Sequence, residues 1–280
     1  MTSLAEALGH DPNARLLIVT CDDLGVSYDT NTAVYEALRA GVATSAGLVV
    51  PGPWARQAAA SYRGEDVGAH LTLNAEYDLY RWGPVTHSPS LLDGDGGFPR
   101  TLDDLWDHAD LDEVRRECRA QIERAIYWGF DVTHLSAHLG ALELRPEFFD
   151  IALDLAIEFA LPLRLSGASH EHNTGFPFRR LAAEEGVLSP DHLVRVTRGH
   201  SAAASLAQLV GDAPPGVTEV VLRPAVHTSA ATAVMPDCRA RADDHRAATD
   251  PAHVAALKGG GAPVRLTSYR ALRNLQRSGL

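Results

Sequence analysis

The chain has 280 residues, 45% hydrophobic and 22% charged, with a net charge of −11 and a pI of about 5.6. That length suits one α/β domain with a sizeable buried core. The acidic balance, with no basic run, argues against a nucleic-acid or membrane-surface partner. Three cysteines, Cys21, Cys118 and Cys238, are too few and too odd in number for a disulfide framework. No basic segment followed by an apolar core opens the chain, and no apolar run approaches the ~18 residues that span a bilayer. The expectation is a reduced, cytoplasmic protein. It has a single domain over residues 1–280, of which 1–14 form a flexible segment. The expected partner is a small molecule, and a homodimer is the assembly considered.

In chain order, LLIV (16–19) reads as a strand buried on both faces. The spacing of Val34, Ala37 and Leu38 predicts a helix over 31–41, stopped at Gly41. TSAGLVV (44–50) is the next strand, PWARQAAASY (53–62) a helix with proline in its first turn, and DVGAHLTL (66–73) a strand. An irregular stretch runs from Asn74 to about Asp110, and so long a loop inside a compact domain is usually functional. Residues 111–129 form a strongly amphipathic helix, DVTHL (131–135) a strand, 146–160 a helix and LPLRL (161–165) a strand. GVTEVVLRPA (216–225) is a strand, and 262–275 holds a last strand and helix. Strands alternating with helices imply βαβ units and a parallel sheet. About seven such units in this length predict an α/β, (β/α) barrel-like fold, a distorted seven-stranded TIM-type barrel, with its chemistry at the C-terminal ends of the strands.

Polar motifs fall at those ends. Asp22 and Asp23 follow the first strand in TCDDLG, His70 lies late in GAHLTL, and THLSAH carries His134, Ser136 and His138 on one face of an extended chain. Taken singly, each has a plain structural reading: a helix cap for an aspartate, a hydrogen-bonded core histidine for the others. Together, one aspartate and two histidines make a three-ligand set for a divalent metal, Zn or Mg, with a position left open. Trp82 in the long loop could stack on a sugar ring or anchor packing. Arg164 could bind substrate or form an ion pair. Cys21 reads as packing, and His170 and His172 as solvated loop histidines.

The ordered set TCDDLG, GAHLTL, THLSAH and TEVVLRP, followed by VRLTSYRALR, resembles the YdjC-like carbohydrate deacetylases, among them the diacetylchitobiose deacetylases. The resemblance covers nearly the whole chain. It implies a barrel-like fold and a metal held by Asp23, His70 and His138. Asp22 would be the base that activates a water, and the substrate would be an N-acetylated sugar of chitooligosaccharide type. A cation beside the paired aspartates would also offset their repulsion.

Two positions depart from the family pattern. Ser136 stands where the family has an aspartate, which would orient a ligating histidine more strongly. Arg223 stands at the family's histidine in the final His-Pro, and a guanidinium does not give up a proton in a protein. Arg223 could still hydrogen-bond an oxyanion or a carboxylate, and His227, four residues on, is the alternative proton donor. The resulting expectations are a metal-dependent deacetylase, or a variant that binds acetylated sugar or prefers O-acetyl esters. A phosphoryl-transfer protein using the paired aspartates is a third alternative, which His70 and His138 argue against because hard Mg²⁺ disfavours imidazole.

Overall fold

The computed structural model describes residues 3–167, 171, 175–196, 201–259 and 263–279, so that His170 and His172 lie outside the described residues. Residues 4–7, within the segment expected to be flexible, form a one-turn helix, α1 (Leu4–Ala7), capped by Ser3. Its Ala5 is buried with Leu16, Ile18, Val217, Tyr269 and Leu272.

The first strand, β1 (Arg15–Leu24), is longer than its apolar run, and every residue after Arg15 is buried. Asp22 and Asp23 therefore sit inside the strand rather than after it. β1 is followed by α2 (Tyr28–Arg39), β2 (Ser45–Leu48), α3 (Ala55–Ser61) and β3 (Val67–Leu71). α2 starts three residues before the periodic run because Ser27 and Thr30 cap each other's backbone N–H. The irregular stretch after β3 contains one 3₁₀ turn (Pro89–Leu91) and α4 (Leu102–His108). α5 (Leu111–Tyr127) starts at Asp110, whose carboxylate accepts from the Asp112 and Glu113 N–H groups. β4 (Val132–Ala137) and α6 (Pro146–Glu158) follow. Then come β5 (His192–Arg195), β6 (Gly216–Leu222) and β7 (Arg265–Leu266), with further helices at Cys238–Thr249 and Tyr269–Ser278 among those between and after them.

All ladders are parallel, in the order β4-β3-β2-β1-β6-β5, with β7 beside the start of β1. The sheet is a half-barrel, barrel-like as expected but not closed as a TIM-type barrel would be. The strand expected at 161–165 contributes a single bridge, Leu135 to Leu163, beyond β4. The Leu163 N–H then turns to the Leu188 carbonyl instead of extending a ladder. Among the described residues no ladder joins this segment to β5, and a hydrogen bond from Arg195 Nη1 to Ser166 Oγ (3.3 Å) spans the gap. Among the described residues no helix is long and apolar enough to cross a membrane.

Period-two alternation sorts the concave face into layers. Leu16, Ile18 and Val217 form an apolar floor with Tyr269. Along the strands, Glu219 stands opposite Ile18, Val221 opposite Thr20 and Ser136 opposite His70, with Asp22 one pleat beyond Thr20 and His134 one pleat below Ser136. All of these are buried. The same alternation that makes a strand thus lifts polar groups in register to the rim.

Candidate metal centre

The two aspartates answer to one another through the backbone. In a flat strand, neighbours face opposite sides. Here the register of β1 against β2 shifts between Cys21 and Leu24, and Asp23 adopts a left-handed φ of 69°. A bulge of this kind re-aims a side chain beside a site, and aspartate tolerates the conformation better than most residues. Both carboxylates therefore reach one cluster.

Asp23, His70 and His138 bring one ligand atom each to within 4.8 Å of one another, and all three residues are buried. His138 Nδ1 lies 3.3 Å from His70 Nε2 and 3.6 Å from Asp23 Oδ1. Asp23 Oδ2 is committed to Arg223 Nε (2.9 Å) and Arg241 Nη1 (2.8 Å). Its Oδ1, by contrast, is buried without a hydrogen-bond partner. A buried carboxylate oxygen aimed at two imidazole nitrogens, with no proton donor of its own, is the arrangement a cation satisfies. The surrounding ion pairs agree in charge. Asp22, Asp23, Glu76, Glu219 and Asp237 are joined to Arg164, Arg223 and Arg241, which leaves two negative charges unbalanced when His138 is neutral, as a ligand must be.

The outward nitrogens of both histidines are held. His70 Nδ1 meets Ser136 Oγ at 2.7 Å, and His138 Nε2 meets Glu76 Oε2 at 2.9 Å. Such partners fix the tautomer and ring orientation of a ligating histidine. Glu76 also accepts from Arg223 Nη2 (3.2 Å). Burial pushes the His70 imidazole down to about 4, against the raising effect of Asp22, so it is neutral and free to ligate. For His138 burial also lowers, but Glu76 outweighs it and raises the ring above its ordinary value. Burial would raise Asp23, yet Arg223, Arg241 and His138 hold it well below the usual carboxylate range.

Asp22 is gripped by Arg164, whose Nη1 donates to Oδ2 (2.8 Å) and Nη2 to Oδ1 (3.0 Å). Burial opposes, but Arg164 and then His70 lower the Asp22 carboxyl, so that it stays ionised. Asp22 Oδ2 stands 3.9 Å from His70 Nε2. Arg164 is anchored in turn by Glu219 Oε1 through Nε (2.9 Å) and Nη2 (2.7 Å). Gly47 gives Asp22 its room, since a Cβ there would lie 2.8 Å from Asp22 Oδ1 and 3.2 Å from His70 Cβ.

The remaining sequence candidates separate cleanly. His134 shares the face of Ser136 but lies deeper, stacked on Tyr269 at 3.8 Å between centroids, with Nδ1 3.1 Å from Thr133 Oγ1. Trp82 is 5% exposed, donates to the Asn74 carbonyl and packs edge-on near His138, the packing role of its two readings. His227 is exposed, with Nε2 beside Thr232 Oγ1 at 3.5 Å, and is not among the residues lining the cavity. Cys21 is buried, and burial, Asp244 and Asp22 push its thiol well up. Arg223 does reach the site, as a partner of Asp23 and Glu76.

Sequence reading missed Glu76, Arg241 and Asp244. Glu76 lies in an irregular stretch with no periodicity to mark it. Arg241 comes from the helix Cys238–Thr249, whose buried face is mostly alanine. Asp244, on the same helix, accepts the Arg223 N–H (2.8 Å). A cavity of about 600 Å³ opens over the rim, lined by Asp22, His70, His138, Arg223 and Asp244 and running on to Glu143. That size is in the range of small-molecule sites.

An open parallel half-barrel with a buried Asp-His-His group that could hold a metal ion at its strand ends defines the class of α/β protein. The chain belongs to the YdjC-like protein family, whose family model matches residues 16–259. A carbohydrate deacetylase of Geobacillus stearothermophilus is 30% identical over 265 residues, 93% of this chain and 99% of that one. A carbohydrate deacetylase of Thermus thermophilus is 43% identical over 147 residues, 52% of each chain. A chitooligosaccharide deacetylase of Serratia marcescens is 32% identical over 160 residues, 54% of this chain and 59% of that one. The match thus spans about half the length of the latter two relatives. A solved protein of Enterococcus faecalis V583 superposes with a TM-score of 0.79 at 24% identity, covering 92% of this chain and 99% of that one, and shares the fold.

Proposed function

We propose that the protein is a metal-dependent hydrolase that removes acetyl groups from N-acetylated sugars of chitooligosaccharide type. The observation that carries this is the buried, unpartnered Asp23 Oδ1 converging with His70 Nε2 and His138 Nδ1. The names of the relatives supply the substrate class. A divalent cation such as Zn²⁺, which accepts mixed imidazole and carboxylate ligands, would supply Lewis acidity toward a water and the acetyl carbonyl.

The chain's own residues do the rest. Asp22 is the proton acceptor: Arg164 keeps it ionised and fixes both its oxygens at the rim, and a general base must be unprotonated and positioned within reach of the proton it takes. His70 and His138 are positioned by Ser136 and Glu76. Arg223 and Arg241 hold Asp23 Oδ2 so that Oδ1 alone faces inward. Asp22→Asn is expected to retain bound metal and lose acetate release by about 10²–10⁴-fold, whereas His70→Ala loses both. Equal metal loss in the two variants, read by metal analysis, would make Asp22 a ligand instead.

One observation favours a second reading, hydrolysis of O-acetyl esters. Arg223 is fixed between Asp23 and Glu76 where the family's histidine is expected, and it cannot protonate a leaving amine. An activated alcohol departs with less help than an amine. The ratio of 4-nitrophenyl acetate to N-acetyl sugar hydrolysis is expected to fall in Arg223→His. An unchanged ratio excludes this reading.

A further inference from the structure

The cavity continues away from the metal-site residues to a second polar centre. After β4 the chain turns sharply, with Leu139 at φ 53° and Gly140 at φ 77°, and the Glu143 N–H closes on the Gly140 carbonyl. This returns Glu143 to the cavity wall, where its residue exposure is only 4%. Its two oxygens are unlike. Oε2 accepts the Ser166 N–H (3.0 Å) and the Ser166 hydroxyl (2.6 Å). Oε1 is buried with no hydrogen-bond partner. Arg195 lies beside it, with Nη2 at 3.9 Å from Oε1 and Nη1 donating to Ser166 Oγ. Arg195 also lines the cavity, and its side chain is 51% exposed.

A buried carboxylate oxygen without a donor is costly, so the occupant of this end must bring one. A cation would meet the Arg195 guanidinium alongside, whereas a neutral hydroxyl would not. The guanidinium needs an acceptor, which a second hydroxyl or a ring oxygen provides. Leu193 and Val221 supply apolar wall near this end, suited to the C–H face of a ring. We infer that Glu143 and Arg195 form a hydroxyl-reading subsite for a neutral sugar ring, with Glu143 Oε1 accepting an O–H and Arg195 donating to an adjacent oxygen. Both are substrate-positioning residues, and the assignment rests on the sugar-hydrolase reading above.

Glu143→Gln tests it at constant shape. The Ser166 N–H and hydroxyl need an acceptor, so the amide oxygen takes the Oε2 place and the NH₂ faces the cavity as a donor. N,N′-diacetylchitobiose and 4-nitrophenyl acetate, which has no hydroxyl, are the two substrates. Selectivity for the sugar over the ester is expected to fall about 10–100-fold, through KM rather than kcat. Arg195→Met, at a half-exposed position with little folding risk, is expected to raise the sugar KM in the same direction. An unchanged sugar KM in both variants, or an equal loss on both substrates, overturns the assignment. Should the parent hydrolyse neither substrate, the hydrolase reading fails by itself. Calorimetric titration with N,N′-diacetylchitobiose then decides the subsite: tighter binding by the parent than by Glu143→Gln supports it, and equal binding overturns it.

Discussion

At the scale of single residues, the site depends on which atoms lack partners and which are held. Glu76 orients His138 and keeps its pKa raised, while His70 is held down to about 4. A metal needs both imidazoles neutral, so uptake near pH 6 is expected to release about one proton, and it comes from His138. Calorimetry in two buffers of different ionisation enthalpy counts it, and release of none or of two contradicts the assignment. Glu76→Gln should weaken metal binding about 10–100-fold and reduce that proton release. That one aspartate and two histidines gather near the strand ends was legible from residue type and position, whereas the choice of Asp23, His70 and His138 came from the resemblance to the YdjC-like family. Glu76 was not legible, because its role comes from contacts with His138 and Arg223, distant in sequence, made from the irregular stretch after β3, and no local pattern encodes them.

At the scale of elements, alternation along β1, β4 and β6 sorts apolar floor from polar rim, and a bulge in β1 lets two successive carboxylates face the same way. Gly47 on β2 completes the arrangement by absence. Gly47→Ala would press on Asp22 Oδ1 and His70 Cβ, both buried and held. It is expected to lower acetate release at least about tenfold while costing about 1–3 kcal/mol of stability. Unchanged turnover would show that Asp22 has room to move. The strands and long helices were readable from periodicity because each buries one consistent face. The helix Cys238–Thr249 was not. Its buried set of Cys238, Arg241, Ala242, Ala247 and Ala248 makes a weak stripe, and its functional arginine looks like a surface charge. The 161–165 segment is apolar enough for a strand, but beyond the two hydrogen bonds of its bridge to Leu135 its Leu163 N–H goes to the Leu188 carbonyl rather than into a ladder.

At the scale of the whole molecule, the half-barrel leaves an opening where a closed barrel would have a ladder, and the cavity occupies its rim. Asp244, between that cavity and the strand end, links the site to global stability. Burial pushes its carboxyl up to about 6, against lowering by the Arg223 N–H, Arg241 and Arg223. The folded protein therefore keeps a proton that the unfolded chain loses near pH ~4. This group's contribution makes stability fall as pH rises from about 4 to about 6 and leaves it flat above. Asp244→Asn removes the penalty. Its melting temperature, relative to the parent, is expected to climb across that interval, by the equivalent of about 2–3 kcal/mol. A pH-independent difference would contradict the buried-acid assignment.

The most direct measurement is acetate release from N-acetylglucosamine oligomers by the purified protein before chelation, after chelation and after Zn²⁺ is restored. Chelation is expected to abolish release in the parent, and about one equivalent of Zn²⁺ to restore it. Asp23→Asn is expected to stay inactive under the same restoration. Release that survives complete metal removal, or no release from the metal-loaded parent, would contradict a metal-dependent sugar deacetylase built on Asp23, His70 and His138.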